Sequence, residues 1–176
     1  MLQISSSTEH TNPWFTVEHR EYETERGARH PYFVVCRSDS VMVVPRQGEH
    51  YVLVELTRPA LGGLRSLEFP CGGTADGETP EEAARREARE EAGLELTGVR
   101  QLGTFAESNG FATSSCHVYV ADVAGTAAAD RDVFEADLAV HRYTWSQLGQ
   151  LVAAGGIGDS STLAALALMG ASGDAG

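Results

Sequence analysis

Three glutamates on one predicted helix have the type and spacing needed to hold a divalent cation. Glu87 and Glu91 are four residues apart, and Glu90 follows Glu87 by three. At 3.6 residues per turn, their carboxylates fall within roughly a third of the helix circumference. Such a group repels itself unless positive charge lies among it. Arg86 is spaced to pair with Glu90 and with Glu78, and oxygen ligands select hard cations such as Mg²⁺ or Mn²⁺.

The helix that carries these glutamates has predicted ends. Thr79 is a good N-cap, Pro80 suits the first helical position, and Glu82 completes a capping box. Gly93 supplies the stop, so the pattern predicts a helix from Pro80 to Ala92. Small apolar residues repeat every four positions along it: Ala84, Ala88 and Ala92. We expect this stripe to pack closely on a sheet. The alternative is a solvated, charge-rich helix with no site.

The spacing of these residues resembles the Nudix box, G-x5-E-x7-R-E-U-x-E-E-x-G-U, in which U is aliphatic. The segment from Gly72 to Leu94 has all seven fixed letters. If each letter has a background near 6%, a chance match is on the order of one in a million. Ala88 is smaller than the family's usual aliphatic residue. The lead-in LEFPCG is similar to the L-E-x-P-A-G of the ADP-ribose pyrophosphatases, so the chain resembles that subgroup of the Nudix hydrolases over most of its length.

The resemblance implies an α/β fold, a Nudix-type α/β/α sandwich with a mixed β-sheet and an N-terminal antiparallel strand region. We expect a loose polar tail over residues 1–12, one Nudix domain over 13–169 and a frayed tail over 170–176. The alternating segment Trp14–Thr24 has no cleanly apolar face, which fits the family's usual homodimer. Strands within 13–58 would then lie at the dimer interface.

Short apolar runs elsewhere predict the remaining elements. Tyr32–Cys36 and Val41–Val44 flank a polar turn and are expected to form a hairpin. The glycine-rich stretch Ala60–Ser66 is expected to be a loop. Further strands are predicted at Tyr51–Leu56, Thr97–Ala106, Cys116–Asp122 and Val140–Trp145. Two further helices are predicted, Ser146–Ala154 and one that ends at Met169 after a cap at Asp159 or Ser160.

The implied reaction is divalent-metal-dependent hydrolysis of the phosphoanhydride in a nucleoside diphosphate linked to another moiety, with ADP-ribose giving AMP and ribose 5-phosphate. By resemblance, the metal ligands are Glu87, Glu90, Glu91 and a backbone carbonyl at Cys71 or Gly72. The metal would be Mg²⁺ or Mn²⁺, and it would polarise the phosphate and acidify a bound water.

The resemblance also assigns supporting roles. Glu78 and Arg86 would orient the metal-binding carboxylates. Arg58 and Glu68 would bind the substrate; the alternative for Arg58 is an ordinary surface arginine. The catalytic base would be Glu107 or one of the box glutamates, so the predicted catalytic residues are Glu90, Glu91 and Glu107.

One segment departs from the subgroup. Many ADP-ribose pyrophosphatases carry a further glutamate in the loop that matches Glu107–Ser115, but here only Glu107 is acidic, and Asn109 stands where proline is common. Another nucleotide sugar, a dinucleoside polyphosphate or a modified NTP therefore remains open as substrate. The alternative of a different class is a non-catalytic, nucleotide-sensing module of the same fold. The complete box argues against that alternative.

Composition restricts the partners. The chain has 13 basic residues, all arginine, against 25 acidic ones, a formal charge of −12. This charge disfavours binding to nucleic acid and anionic membranes, and the absence of lysine excludes Schiff-base and P-loop lysine chemistry. The cysteines are far apart and form no C-x-x-C motif: Cys36, Cys71 and Cys116. With no signal-peptide pattern at the N-terminus, we expect a cytoplasmic enzyme.

Overall fold

The computed structural model describes residues 1–131 and 135–174, which divide into two units. The first unit contains Met1–Asp39 and Ala106–Ser115. The second contains Ser40–Phe105 and the chain from Cys116 onward. Among the described residues, no helix combines the length and the apolar content needed to cross a membrane.

The first unit is built on a three-stranded antiparallel sheet. Its strands are β1 (Leu2–Thr11), β2 (Thr16–Glu23) and β3 (Arg29–Cys36), in the order β1-β2-β3. The structure thus differs from the expected loose tail over residues 1–12. Beyond Leu2 and Ile4 the β1 sequence is polar on both faces, so it gives little period-2 hydropathy signal. Its order comes from main-chain pairing with β2, which begins at the Thr11–Thr16 pair.

The second unit contains a mixed seven-stranded sheet. The strands are β4 (Ser40–Gln47), β5 (His50–Arg58), β6 (Leu64–Glu68), β7 (Cys71–Gly73), β8 (Leu94–Ala106), β9 (Ser115–Thr126) and β10 (Ala139–Thr144). Their order is β10-β5-β4-β9-β8, with β6 beside β5 and β7 beside β4. The β4–β9 pair is parallel, whereas β4 is antiparallel to β5 and to β7. The short strand β7 therefore lies next to the most central strand.

Helices cover both faces of this sheet. They are α1 (Pro80–Ala92), α2 (Trp145–Ala153) and α3 (Ser160–Ser172). Alternate β4 side chains point to opposite faces: Val41 and Val43 belong to one core with the alanines of α1, and Met42 and Val44 to another with α2 and α3 residues. This layered α/β arrangement with a mixed sheet is the fold class that the sequence predicts.

Three local predictions differ from the structure. The predicted hairpin is wrong, because β3 pairs with β2 and β4 pairs with β5, β7 and β9. The expected loop over Ala60–Ser66 instead contains a 3-10 turn, Pro59–Leu61, and the start of β6. Helix α3 runs to Ser172, beyond the predicted end at Met169. In each case the sequence is locally ambiguous, and pairing or packing with distant residues decides the outcome.

Candidate active site

Helix α1 places the predicted metal-binding glutamates. Its predicted ends are confirmed: the hydroxyl of Thr79 accepts the Glu82 N–H, the Glu82 carboxylate accepts the Thr79 N–H, and Gly93 has φ 64° at the C-cap. Three alanines of α1 are fully buried: Ala83, Ala84 and Ala88. Because these contacts are only one methyl group deep, the helix lies close to the sheet. The adjoining face of α1, which carries Glu87 and Glu91, is therefore also buried, and these residues are 7% and 2% exposed.

The main chain of β7 lies directly against these two carboxylates. A Cβ atom placed on Gly72 would lie 2.0 Å from Oε1 of Glu87. Glycine is therefore the residue that lets the strand approach so closely. The backbone N–H of Cys71 donates to Oε2 of Glu91 at 3.1 Å. The structure thus brings Cys71, Gly72, Glu87 and Glu91 together, as the resemblance implies.

Arg86 organises the remaining acids of the motif. Its guanidinium donates to both carboxylate oxygens of Glu78 at 2.9 and 3.0 Å. It also donates to Glu87 at 2.6 Å, to Glu90 at 2.9 Å and to the carbonyl oxygen of Gly73 at 2.8 Å. The pairs predicted for Arg86 with Glu90 and Glu78 are both present. These bonds hold the pKa of Glu78 below its ordinary value, so Glu78 acts as a fixed anchor for the arginine.

Burial gives this site its electrostatic character. Burial, and then the nearby charge of Glu87, raise the pKa of Glu91 to about 9, although the hydrogen bond from the Cys71 N–H and the charge of Arg58 oppose the shift. Burial also raises the pKa of Glu87, although the hydrogen bond and charge of Arg86 oppose the shift. Two carboxylates that share a poorly solvated space are stabilised by any added positive charge. The two ionised carboxylates are therefore more stable with a cation bound between them than without one.

These residues fit a hard divalent cation. The side chains that converge here offer carboxylate oxygens, and the β7 main chain beside them offers carbonyl oxygens; Mg²⁺ and Mn²⁺ prefer both. Over residues 1–131 and 135–174, no group of three or more histidine, cysteine, aspartate and glutamate side chains is already arranged around one point. The Arg86 guanidinium donates to both Glu87 and Glu90.

Glu135 is a further acid near this site that the sequence analysis does not identify. Its negative charge contributes to the raised pKa of both Glu87 and Glu91. It precedes β10, far from the motif in sequence, so no fixed spacing links it to α1. A search for acids just before the last predicted strand, Val140–Trp145, would have included it. The structure thereby adds a further carboxylate to the surroundings of the buried pair.

Arg58 and Glu68, both predicted to bind substrate, are paired with each other. The guanidinium makes a two-pronged contact, from Nε to Oε1 at 2.9 Å and from Nη2 to Oε2 at 2.5 Å. Glu68 is buried, whereas the side chain of Arg58 is partly exposed. The pair raises the pKa of Arg58, and the charge of Glu91 adds to that shift. Arg58 is therefore a permanent cation within electrostatic range of the glutamate site.

The predicted base Glu107 belongs to the first unit. Its carboxylate accepts a hydrogen bond from the Ser114 hydroxyl at 2.6 Å and lies 3.6 Å from a guanidinium nitrogen of Arg37.

Cys71, beside the motif, has a thiol that contacts Cys116. That contact and burial raise the pKa of the Cys71 thiol well above its ordinary value. A thiol held in its neutral form is a poor nucleophile.

Comparisons with known proteins support the family predicted from the motif. A NUDIX domain model matches residues 37–166. The chain is 30% identical over 172 residues to a GDP-mannose pyrophosphatase of Klebsiella pneumoniae, covering 91% of this chain and 87% of that protein. It is 33% identical over 93 residues to an ADP-sugar pyrophosphatase of Mus musculus, covering 50% of this chain and 42% of the mouse protein.

A solved structure described as an ADP compounds hydrolase has a similar fold. Its TM-score is 0.85 at 23% sequence identity, and the match covers 96% of this chain and 91% of that one. The matched family model includes every residue of the motif from Gly72 to Leu94. Both the motif and the fold are therefore accounted for, and the chain belongs to the NUDIX domain family as a Nudix hydrolase.

Proposed function

We propose that this Nudix hydrolase cleaves the diphosphate bridge of a nucleoside diphosphate sugar in a divalent-metal-dependent reaction. One observation carries the proposal: Glu87 and Glu91 are buried together against the main chain of β7, at a site that favours added positive charge. The relatives named GDP-mannose pyrophosphatase and ADP-sugar pyrophosphatase support a substrate of this class.

Within that class, we propose ADP-ribose as the substrate, with AMP and ribose 5-phosphate as products. The lead-in from Leu67 to Gly72, similar to that of the ADP-ribose pyrophosphatases, supports this choice. Arg58 supplies a permanent positive charge within range of the glutamate site. A guanidinium in a fixed orientation suits the paired oxygens of a diphosphate. Glu68 would keep Arg58 in that orientation through its two-pronged contact.

The proposed cofactor is Mg²⁺, or Mn²⁺ in its place. Glu87, Glu90 and Glu91 would hold it, together with a main-chain carbonyl at Cys71 or Gly72. When bound, such an ion offsets the charge of the diphosphate and lowers the pKa of a water molecule.

The protein's own groups do the remaining work. Arg86, anchored by Glu78, keeps Glu87 and Glu90 in position. A carboxylate takes a proton from the attacking water molecule while the water oxygen bonds to phosphorus and the bridging P–O bond breaks. Glu135 is one candidate for this base because its charge acts on Glu87 and Glu91. The other candidates are Glu107 and the motif glutamates Glu90 and Glu91.

We also propose that the enzyme is a homodimer that uses strands within residues 13–58. In the first unit, large apolar side chains are exposed to solvent: Met1, Leu2, Trp14, Phe33 and Phe111. Among the described residues of that unit, Val34 is the single apolar residue that is buried. A small sheet with so little core is stabilised by a second surface. Because the three cysteines are free thiols, we propose a reducing, cytoplasmic location.

The decisive experiment is a substrate panel with the purified protein. ADP-ribose, ADP-glucose, GDP-mannose, a dinucleoside polyphosphate and a modified NTP are each incubated with Mg²⁺, with Mn²⁺ and with EDTA, and products are separated by chromatography. We expect AMP from ADP-ribose, no product with EDTA, and a loss of at least about 100-fold in kcat for Glu90→Gln. If ADP-ribose binds but no diphosphate in the panel is cleaved, the protein is a nucleotide sensor and the proposal is wrong.

The same assay identifies the base. Glu107→Gln and Glu135→Gln are each compared with the wild type at saturating substrate and metal. Loss of general base catalysis lowers kcat by about 100- to 10,000-fold. The variant that shows this loss contains the substituted base, and a small effect in both variants assigns the role to a glutamate of the motif.

A further inference from the structure

The connection between β9 and β10 is fastened to the C-terminal end of α1. Its described residues are 127–131 and 135–138. The Ala127 N–H donates to the carbonyl oxygen of Gly93 at 2.9 Å, and a Cβ atom on Gly93 would lie 2.8 Å from the carbonyl oxygen of Ala127. The connection thus begins in close contact with the residue that ends the helix.

Arg131 makes the second attachment. Its Nε donates to the main-chain carbonyl of Glu91 at 3.1 Å, and its Nη1 donates to the main-chain carbonyl of Leu138 at 2.9 Å. The Glu91 carbonyl lies in the last turn of α1, where carbonyl groups lack helical partners. One guanidinium therefore joins the helix of the glutamate site to the far end of the connection.

Glu135 lies between these attachments. The Leu138 N–H donates to the main-chain carbonyl of Glu135 at 3.0 Å, which closes a turn. Leu138 itself is buried beside Val54 and Leu56. Three hydrogen bonds and one buried side chain thus connect Glu91, through Arg131 and Leu138, to the backbone that carries the Glu135 carboxylate.

Asp137 fixes the same turn to the sheet. Its carboxylate accepts from the Thr57 hydroxyl at 2.6 Å and from Arg65 Nη1 at 3.0 Å. Arg65 in turn donates to the carbonyl oxygen of Glu55 at 2.9 Å. These contacts hold the turn against β5 and β6, so Arg131 supplies the separate attachment to α1.

We infer that Arg131 is a positioning residue that sets the place of the Glu135 carboxylate relative to the metal-binding face of α1. The inference rests on the proposed function, because it gives Glu135 a role in hydrolysis. Arg131 is not expected to touch the substrate. It acts through two main-chain carbonyls, so its loss removes the attachment between α1 and the turn that carries Glu135, while Asp137 and Leu138 still hold that turn to the sheet.

The test is a double-mutant cycle on kcat with Arg131→Ala, Glu135→Gln and the combined variant, using the substrate that the panel identifies. Loss of a group that orients a catalytic residue typically costs about 10- to 100-fold. We expect Arg131→Ala to lower kcat within that range and to change KM by less than about threefold. Residues that act as a unit are not additive, so the combined variant should be no slower than Glu135→Gln within about threefold.

Arg85→Ala is the matched control. Arg85 lies in α1 and, like Arg131, donates to a main-chain carbonyl, that of Leu96, at 2.7 Å. Among the described residues, the structure shows no hydrogen bond from Arg85 to Glu91 or Leu138. We expect Arg85→Ala to retain kcat within about twofold. If Arg131→Ala proves poorly folded by circular dichroism, Arg131→Gln, which keeps an amide donor, takes its place in the cycle.

The outcomes separate the two proposals. If the wild type cleaves no member of the panel, the proposed function fails. If the wild type is active but Arg131→Ala matches it, or if Glu135→Gln matches it, the positioning role is wrong. Multiplicative losses in the combined variant would also overturn it, because Arg131 would then act independently of Glu135.

Discussion

Replacement of Glu91 by glutamine should stabilise the metal-free protein, and the gain should grow with pH. In the folded chain the pKa of Glu91 is raised from 4.5 to about 9, chiefly by burial. The glutamine side chain has nearly the same shape but no charge. Its amide oxygen can still accept the hydrogen bond from the Cys71 N–H that Oε2 of Glu91 accepts in the wild type.

The magnitude follows from the difference between the two pKa values. The folded wild type keeps a proton that the unfolded chain releases above about pH 4.5, so its unfolding free energy falls by about 1.4 kcal/mol per pH unit up to about pH 9. The accumulated loss is below 1 kcal/mol at pH 5 and about 5 kcal/mol at pH 8. Glu91→Gln has no such loss, so it should exceed the wild type by about that amount at pH 8.

Urea unfolding in EDTA, followed by circular dichroism at pH 5 and pH 8, measures both free energies. Glu81→Gln is the control, because Glu81 belongs to the same helix but is exposed and pairs with Arg85 at 2.8 Å. Added Mg²⁺ should stabilise the wild type more than Glu91→Gln, since a cation offsets the buried charge and binding stabilises the folded state. A difference between variant and wild type that stays constant from pH 5 to pH 8 would refute the reasoning, as would equal growth in Glu81→Gln.

Two further substitutions test the surroundings of the site. Gly72→Ala places a methyl group 2.0 Å from Oε1 of Glu87, so we expect a loss of at least about tenfold in metal-dependent kcat. Gly73→Ala is the control, because a Cβ atom on Gly73 meets no atom within 4 Å. Arg58→Ala leaves the buried Glu68 carboxylate unpaired and should lower the unfolding free energy by about 3–5 kcal/mol. The double variant Arg58→Ala with Glu68→Gln should recover part of that loss. Additive losses of unfolding free energy in the double variant, measured by urea unfolding, would contradict the pairing.

The motif helix could be predicted closely because its signals are local. Thr79, Pro80 and Gly93 fix the ends of α1 through contacts within a few residues. The spacing from Glu87 to Glu91 fixes which carboxylates share a face. The match to a known family supports the predicted oxygen-ligand role of these glutamates, so the central part of the candidate site follows from one continuous segment.

The missed features depend on distant partners. Strand β1 is polar beyond Leu2 and Ile4 and is specified by its pairing with β2. Strand β7 has three residues, two of them glycine, and is specified by its pairing with β4. Glu135 comes near Glu87 and Glu91 only because the β9–β10 connection passes the end of α1. Neither hydropathy period nor motif spacing carries this information.

The buried alanines of α1 have a consequence for how the chemistry can vary among related chains. With Ala83, Ala84 and Ala88 fully enclosed against the sheet, the depth at which the carboxylates sit is governed by apolar spacers and not by the acids themselves. A bulkier spacer, such as the larger aliphatic residue common at the position of Ala88, would lift the whole array outward by the size of the added carbons. Metal preference and turnover can therefore drift through changes that alter no charged group.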